Sequence, residues 1–182
     1  MNKFNFVLFL YLFIFLPLFS SDKNQTFNLS SISFHNKSLI PLEFVAKKNL
    51  DAKNISPPFL WKNIPLNTKS FAFICIDTHP IAKRWIHWMV INIPANIHKL
   101  PIGASGRNMP PGSLELTNSF KKIGWVGPFP PKGSGIHKYL FIIYALNTDN
   151  ISSKISNEKQ FYSALKGKVI AKAKYYGLFS RK

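Results

Sequence analysis

Gly124-Trp125-Val126-Gly127-Pro128-Phe129-Pro130-Pro131-Lys132-Gly133-Ser134-Gly135-Ile136-His137-Lys138-Tyr139 runs straight into the apolar stretch that ends at Leu146. The three prolines and four glycines in this segment forbid a helix or an interior strand, so its first part is a stiff loop. Tyr139 to Leu146 is a continuous apolar run of strand length, rich in aromatic and β-branched residues and closed by Asn147. That pattern predicts a strand buried on both faces. Phe71 to Ile76, ending at Asp77, and Trp85 to Ile93, ending at Pro94, repeat it. Lys168 to Tyr175 differs, with Lys on one face and Val, Ala and Tyr on the other, as in a strand with one wet face. From Asn157 to Lys166, Phe161 and Leu165 lie one turn apart and Gly167 follows, which predicts a short helix. Pro57-Pro58 and Pro110-Pro111 mark further rigid loops. With no repeat and no long linker, the expectation is one mainly β domain with few short helices.

Composition narrows the function. The 182 residues carry 24 Lys plus Arg against 7 Asp plus Glu, a formal net charge of +17. Hydrophobic residues make up 46% and charged ones only 17%, which is the balance of a folded globule and not of a disordered polycation. Cys75 is the single cysteine, so an intramolecular disulfide and any Cys-based zinc site are excluded. At the N-terminus, Met1-Asn2-Lys3 precedes the apolar run Phe4 to Phe19 and then polar residues from Ser20. The run falls short of the ~20 apolar residues that span a bilayer, so residues 1–21 are expected to be an export signal, the alternative being an uncleaved anchor. Export, to the periplasm or beyond the cell, sets the positive charge against anionic membrane or acidic protein. Nucleic acid is not expected, because the chain also lacks an Arg-rich cluster or stacking motif.

Chemistry gathers at the strand ends. Asp77 closes one apolar run, His87 lies within the second and His137 opens the third. A carboxylate and two imidazoles beside a proline-stiffened loop suit an anion, a metal or a reacting group, and spacing alone does not choose among them.

Longer motifs choose a family. Asn54-Ile55-Ser56-Pro57-Pro58-Phe59-Leu60-Trp61 resembles the Asn-x-Ser-Pro-Pro-x-x-Trp signature of the phosphatidylethanolamine-binding protein family, in its bacterial Raf-kinase-inhibitor-like branch. Asp77-Thr78-His79-Pro80 resembles the family's Asp-Pro-Asp-x-Pro motif, and Trp85-Ile86-His87-Trp88 its His-containing strand. The block from Gly124 to Tyr139 resembles Gly-Pro-x-Pro-Pro-x-Gly-x-x-His-Arg-Tyr, and Asn118-Ser119-Phe120 an Asn-Asp-Phe element. The resemblance spans a domain over residues 27–181. It implies a β-sandwich with a large central sheet and a smaller second sheet, carrying a pocket for phosphate-like anions or phospholipid head groups. By motif position the pocket is expected to be lined by Asp77, Pro80, Trp85, His87, Pro130, His137 and Tyr139. His79 stands where the family has Asp. It is expected to be a surface-loop residue, the alternative being a third imidazole at the pocket mouth.

Three classes of function follow. The leading one is an exported, non-enzymatic binding protein without a cofactor or metal, whose lysines rest on an anionic membrane. The second is a protein-interaction or inhibitor module, since the family includes kinase and protease inhibitors; a homodimer is open. The third is an enzyme, either with a two-His, one-carboxylate metal set or with His87 and Asp77 activating Ser134. The chain contains no Gly-x-Ser-x-Gly elbow, no His-Glu-x-x-His pair and no P-loop.

Overall fold

The computed structural model describes residues 26–47, 52–152 and 154–182, and the expected export signal at 1–21 lies outside them. The described chain forms β1 (Asn28–Ser30), β2 (Ser38–Leu39), a 3-10 turn (Leu42–Phe44), β3 (Phe59–Lys62) and β4 (Ser70–Asp77). A second 3-10 turn (Pro80–Ala82), β5 (Trp85–Pro94), β6 (Lys99–Leu100), β7 (Leu114–Glu115), β8 (His137–Leu146), α1 (Glu158–Leu165) and β9 (Val169–Phe179) follow. The large sheet has the order β2-β9-β8-β4-β5-β7, and the small one β1-β3-β6.

The three apolar runs become the centre of the large sheet. All eight residues of β4 are buried, because β5 pairs along one edge and β8 along the other while both faces are covered. Alternation divides its side chains between two cores. Phe71, Phe73 and Cys75 face the small sheet, and Ala72, Ile74 and Ile76 face the side closed by α1. On the first face Phe59 packs 4.6 Å from Phe141 and 5.2 Å from Phe73, centroid to centroid. Fully burying each such ring contributes ~1.5–3 kcal/mol. On the second face Phe161 and Leu165 of α1 are buried, as their spacing predicts. The helix starts at Asn157, whose side chain accepts the Gln160 N–H at 2.9 Å, and Gly167 at φ +74 leads the chain away from it.

β9 buries Ala173, Tyr175, Gly177 and Phe179 while Lys172 and Lys174 stay exposed, so its one wet face is present. It continues four residues past the expected Tyr175, because Gly177, Leu178 and Phe179 pair with Tyr139, Lys138 and His137. That pairing also starts β8 at His137, earlier than the apolar pattern alone suggests.

β5 departs from a regular strand. Ile76 pairs with Ile86 and Cys75 with Trp88, so His87 is the extra residue of a β-bulge. Consecutive residues then face one way: His87 meets Trp125 and Tyr139, and Trp88 meets Trp125 and Phe73. The bulge brings His87 onto the same face as Asp77, which pairs with Tyr139 across β4 and β8. At this end of the sandwich the inter-sheet core gives way to polar groups.

Candidate functional site

A pocket of about 270 Å³ opens there. Asp77, Trp85, His87, Pro130, His137 and Tyr139 line it, together with Ile81, Ala82, Phe120, Phe129 and Pro131. Pro80, expected among the lining, is absent from it. Its fixed φ suits the first position of the 3-10 turn, where the ring is exposed and the next two residues, Ile81 and Ala82, reach the pocket.

The polar floor is a chain of bonds. Asp77 Oδ2 lies 2.6 Å from His137 Nδ1, and Asp77 Oδ1 accepts the His79 N–H at 2.9 Å. His137 Nε2 lies 2.9 Å from Ser134 Oγ, which donates its own hydrogen to the Pro131 carbonyl at 2.7 Å. The carboxylate only accepts, so His137 Nδ1 carries a hydrogen, and Ser134 Oγ meets the other ring nitrogen. Both nitrogens are engaged within the protein, so His137 offers the pocket no free N–H. Ser134 thus belongs to His137 and not to His87, the pairing considered from the sequence. With its hydrogen on a carbonyl it is held as a bracket for the ring.

His79 is more than a surface-loop residue. It is half-buried, and its ring stacks on that of His137 at 3.9 Å between centroids and 19° between planes. Its Nδ1 accepts the Ile81 N–H at 3.4 Å, capping the 3-10 turn. His35 and His98 are exposed.

His87 is anchored differently. Its Nδ1 lies 2.6 Å from the Val126 carbonyl, and the Val126 N–H returns to the His87 carbonyl at 3.1 Å. A carbonyl only accepts, so Nδ1 carries the hydrogen and Nε2 presents a lone pair. Burial pushes the pKa of His87 down from the ordinary 6.5 to about 4, against the opposing pull of the Val126 carbonyl and the Asp77 charge. Tyr139 is fully buried, and its hydroxyl lies beside the Asp77 carboxylate without completing a hydrogen bond to any described residue. Burial first, and then the Asp77 charge, raise its pKa, so the phenol keeps its hydrogen and remains a donor.

The walls are set by loops that the sequence marked only as stiff. Asn54 Oδ1 accepts the Gly127 N–H at 2.8 Å, and the Ala46 N–H reaches the Pro128 carbonyl at 3.2 Å, which lays the proline loop across the small-sheet side. Asn118 Oδ1 accepts the N–H groups of Phe120 and Lys122, and Ser119 Oγ accepts that of Ile86. This turn brings Phe120 to 5.3 Å from Trp85 and 5.5 Å from His87. Phe120, Ile81 and Ala82 were not expected in the lining. The signal for Phe120 was its Asn-Ser-Phe element, whose contact with β5 depends on a tertiary turn. Among the described residues no three His, Cys, Asp or Glu side chains converge as metal ligands, so the two-His, one-carboxylate set is not assembled.

A sequence profile of the family described as phosphatidylethanolamine-binding protein matches residues 30–180. A UPF0098 protein of Methanothermobacter thermautotrophicus is 35% identical over 156 residues, covering 85% of this chain and 99% of that one. The UPF0098 protein YbhB of Escherichia coli is 42% identical over 104 residues, 56% of this chain and 65% of its own. Among solved structures, Escherichia coli YbcL, described as a member of the mammalian PEBP family, superposes with a TM-score of 0.79 at 30% identity, covering 86% of this chain and 99% of that one. A phosphatidylethanolamine-binding protein homologue from Chlamydia trachomatis gives a TM-score of 0.72 at 28% identity, covering 86% and 98%.

Proposed function

The chain belongs to the phosphatidylethanolamine-binding protein family, and from that premise we propose that it is an exported, non-enzymatic binding protein whose pocket captures a small phosphate-like anion, free or on a lipid head group. The observation that carries this reading is Tyr139. A buried hydroxyl without a partner costs about 1–3 kcal/mol, and an oxyanion accepting its hydrogen removes that cost. The Asp77 carboxylate is held by the His79 N–H and the His137 ring, which draws it toward those donors.

The surface supports a membrane-facing role. Lys172 and Lys174 of the wet face of β9 are exposed, with Lys166 and Lys138 also exposed on neighbouring segments. Basic residues near an anionic bilayer contribute about 1 kcal/mol each.

Titration of the protein with inorganic phosphate, followed by amide chemical-shift mapping, tests the pocket. Perturbations are expected around His87, Val126, His137 and Tyr139. Tyr139→Phe, which removes only the hydroxyl, is expected to weaken binding about tenfold. Shifts confined to the exposed lysines, with Tyr139→Phe binding as the parent does, would reject the pocket.

A further inference from the structure

We propose that the chain carries a second binding site, a groove beside the small sheet that takes a small amphiphilic carboxylate, with the Trp61 indole N–H and the Lys62 and Lys99 ammonium groups as its donors. The groove encloses about 590 Å³, against about 270 Å³ at the strand ends, and shares no lining residue with that pocket. Its volume falls in the range of ~300–1,000 Å³ in which proteins hold small molecules. The strand register builds it. Leu60 of β3 pairs with Lys99 of β6, and Lys62 lies two residues further along β3, so these three side chains share the outer face of the small sheet. Trp61, between them, turns inward. Because β6 starts at Lys99, what stands beside Trp61 is the turn closed by the Ile97 N–H on the Pro94 carbonyl, and the His98 carbonyl takes the Trp61 backbone N–H at 3.0 Å. The groove lies where that turn replaces a strand, and Trp61 borders it.

Trp61 is 1% exposed, and its Nε1 is a buried nitrogen that meets no hydrogen-bond partner among the described residues. The other two buried indoles are engaged, Trp88 Nε1 by Glu115 at 2.6 Å and Trp125 Nε1 by the Phe44 carbonyl at 3.2 Å. An indole nitrogen only donates, so Trp61 calls for an acceptor. That acceptor reaches it from a cavity the ring borders, and among the described cavities this groove alone is lined by Trp61. Charge gives the ligand its sign. Lys62 and Lys99 are exposed, neither has a carboxylate within salt-bridge reach among the described residues, and no Asp or Glu stands among those that line the groove. Leu60, Ile97 and Pro101 supply apolar wall. A ligand that meets all three features has an apolar body, a negative head and an acceptor oxygen to spare for the indole. A carboxylate on a short hydrocarbon chain provides them, dividing its two oxygens between the Trp61 N–H and a lysine.

Octanoate, titrated into the isotope-labelled full chain at constant ionic strength, is the probe, and the indole N–H signals of the four tryptophans report where it goes. The Trp61 indole hydrogen is expected to move downfield and saturate, while those of Trp88 and Trp125, already bonded, stay in place. Octylammonium, with the same tail and the opposite charge, is expected to bind at least about tenfold more weakly, and octanoate is expected to lose about tenfold in the double variant Lys62→Gln, Lys99→Gln, whose replaced side chains are both exposed. Inorganic phosphate, which lacks the apolar body, is expected to leave the Trp61 signal unmoved. A shift at Trp85, which lines the strand-end pocket, with none at Trp61 would place octanoate there and overturn the proposal, as would no shift at all. Equal affinity for octylammonium, or for the double variant, would overturn it too. Trp61→Phe, which keeps a ring but no N–H, is expected to weaken octanoate about tenfold. Unchanged affinity in a folded variant would overturn the role of the indole, and the unsubstituted protein and the lysine variant decide the question if the core does not accept this change.

Discussion

His87 is a neutral base in a place that resists its charging, and this couples the pocket to the stability of the whole chain. The unfolded chain binds a proton at this ring near its ordinary 6.5, while the folded one holds out to about 4. Between those values the unfolded state binds more protons, so stability falls as pH drops from about 6.5 towards 4 and this group contributes no pH dependence above that window. The full swing amounts to about 3 kcal/mol. Urea midpoints measured across this range are expected to decline more steeply for the unsubstituted protein than for His87→Gln, and identical slopes would show that the ring titrates freely. At this scale Asp77, His87 and His137 were legible in the sequence because polar residues interrupting or flanking buried strands are rare, whereas Tyr139 entered only through the family motif. The individual roles were not. His79 stacks on His137 only because a three-residue turn folds it back, and Ser134 brackets His137 through a loop whose path no residue pattern states. Pro80 failed as a wall residue for the complementary reason, that its own backbone preference serves the turn.

The elements that hold these residues differ in how openly the sequence announces them. β4, β5 and β8 stand out as apolar runs, and α1 through Phe161, Leu165 and Gly167, because burial on both faces or on one helical stripe imposes a visible period. The bulge at His87 has no such signature. It arises when β5 must satisfy β4 on one side while the Val126 loop bonds His87 at both its backbone carbonyl and its ring. Without the bulge, alternation would place His87 on the opposite face from Trp88, away from Asp77. The proline loop is therefore a structural part of the pocket, and Gly127 shows how closely it is fitted. A Cβ there would sit 2.0 Å from the Phe44 carbonyl oxygen and 2.8 Å from the Ala46 nitrogen, both backbone atoms. Gly127→Ala must push the loop off the 3-10 turn, with an expected loss of about 2–3 kcal/mol in denaturant unfolding. It should also displace the Val126 carbonyl and weaken phosphate binding. By contrast, Asn157→Ala, which removes only the cap of α1 on the far face, should cost about 1 kcal/mol and leave phosphate binding unchanged. A Gly127→Ala protein as stable as its parent would mean that the loop is free to move.

Across the whole molecule the electrostatics are lopsided in a way that makes a measurable prediction. The chain carries +17, and most of its described acids are already committed. Asp77 holds His79 and His137, Glu115 accepts from Trp88, Ser105 and Gly106, and Glu158 clasps Arg84. Among the described residues only the Arg84–Glu158 and His137–Asp77 pairs qualify as salt bridges, so no lysine has a carboxylate within bonding reach. Added salt weakens attraction and repulsion alike, and here repulsion has many more participants. The exposed Arg84–Glu158 pair is worth at most about 1 kcal/mol, and the buried His137–Asp77 pair is screened little. At ~0.01 M ionic strength the screening length of about 30 Å spans most of the domain, and most lysines repel one another; at ~0.15 M it is about 8 Å, and only near neighbours do. Raising sodium chloride between these limits is therefore expected to stabilise the protein. A gain of about 1 kcal/mol corresponds to a rise in Tm of roughly 2–4 °C for a domain of this size. Chloride is the right probe because, on the proposed reading, phosphate would add pocket binding to the effect. A fall in Tm with sodium chloride would mean that attraction dominates, and with it would go the case for an anionic surface as the natural neighbour of the exposed lysines of β9.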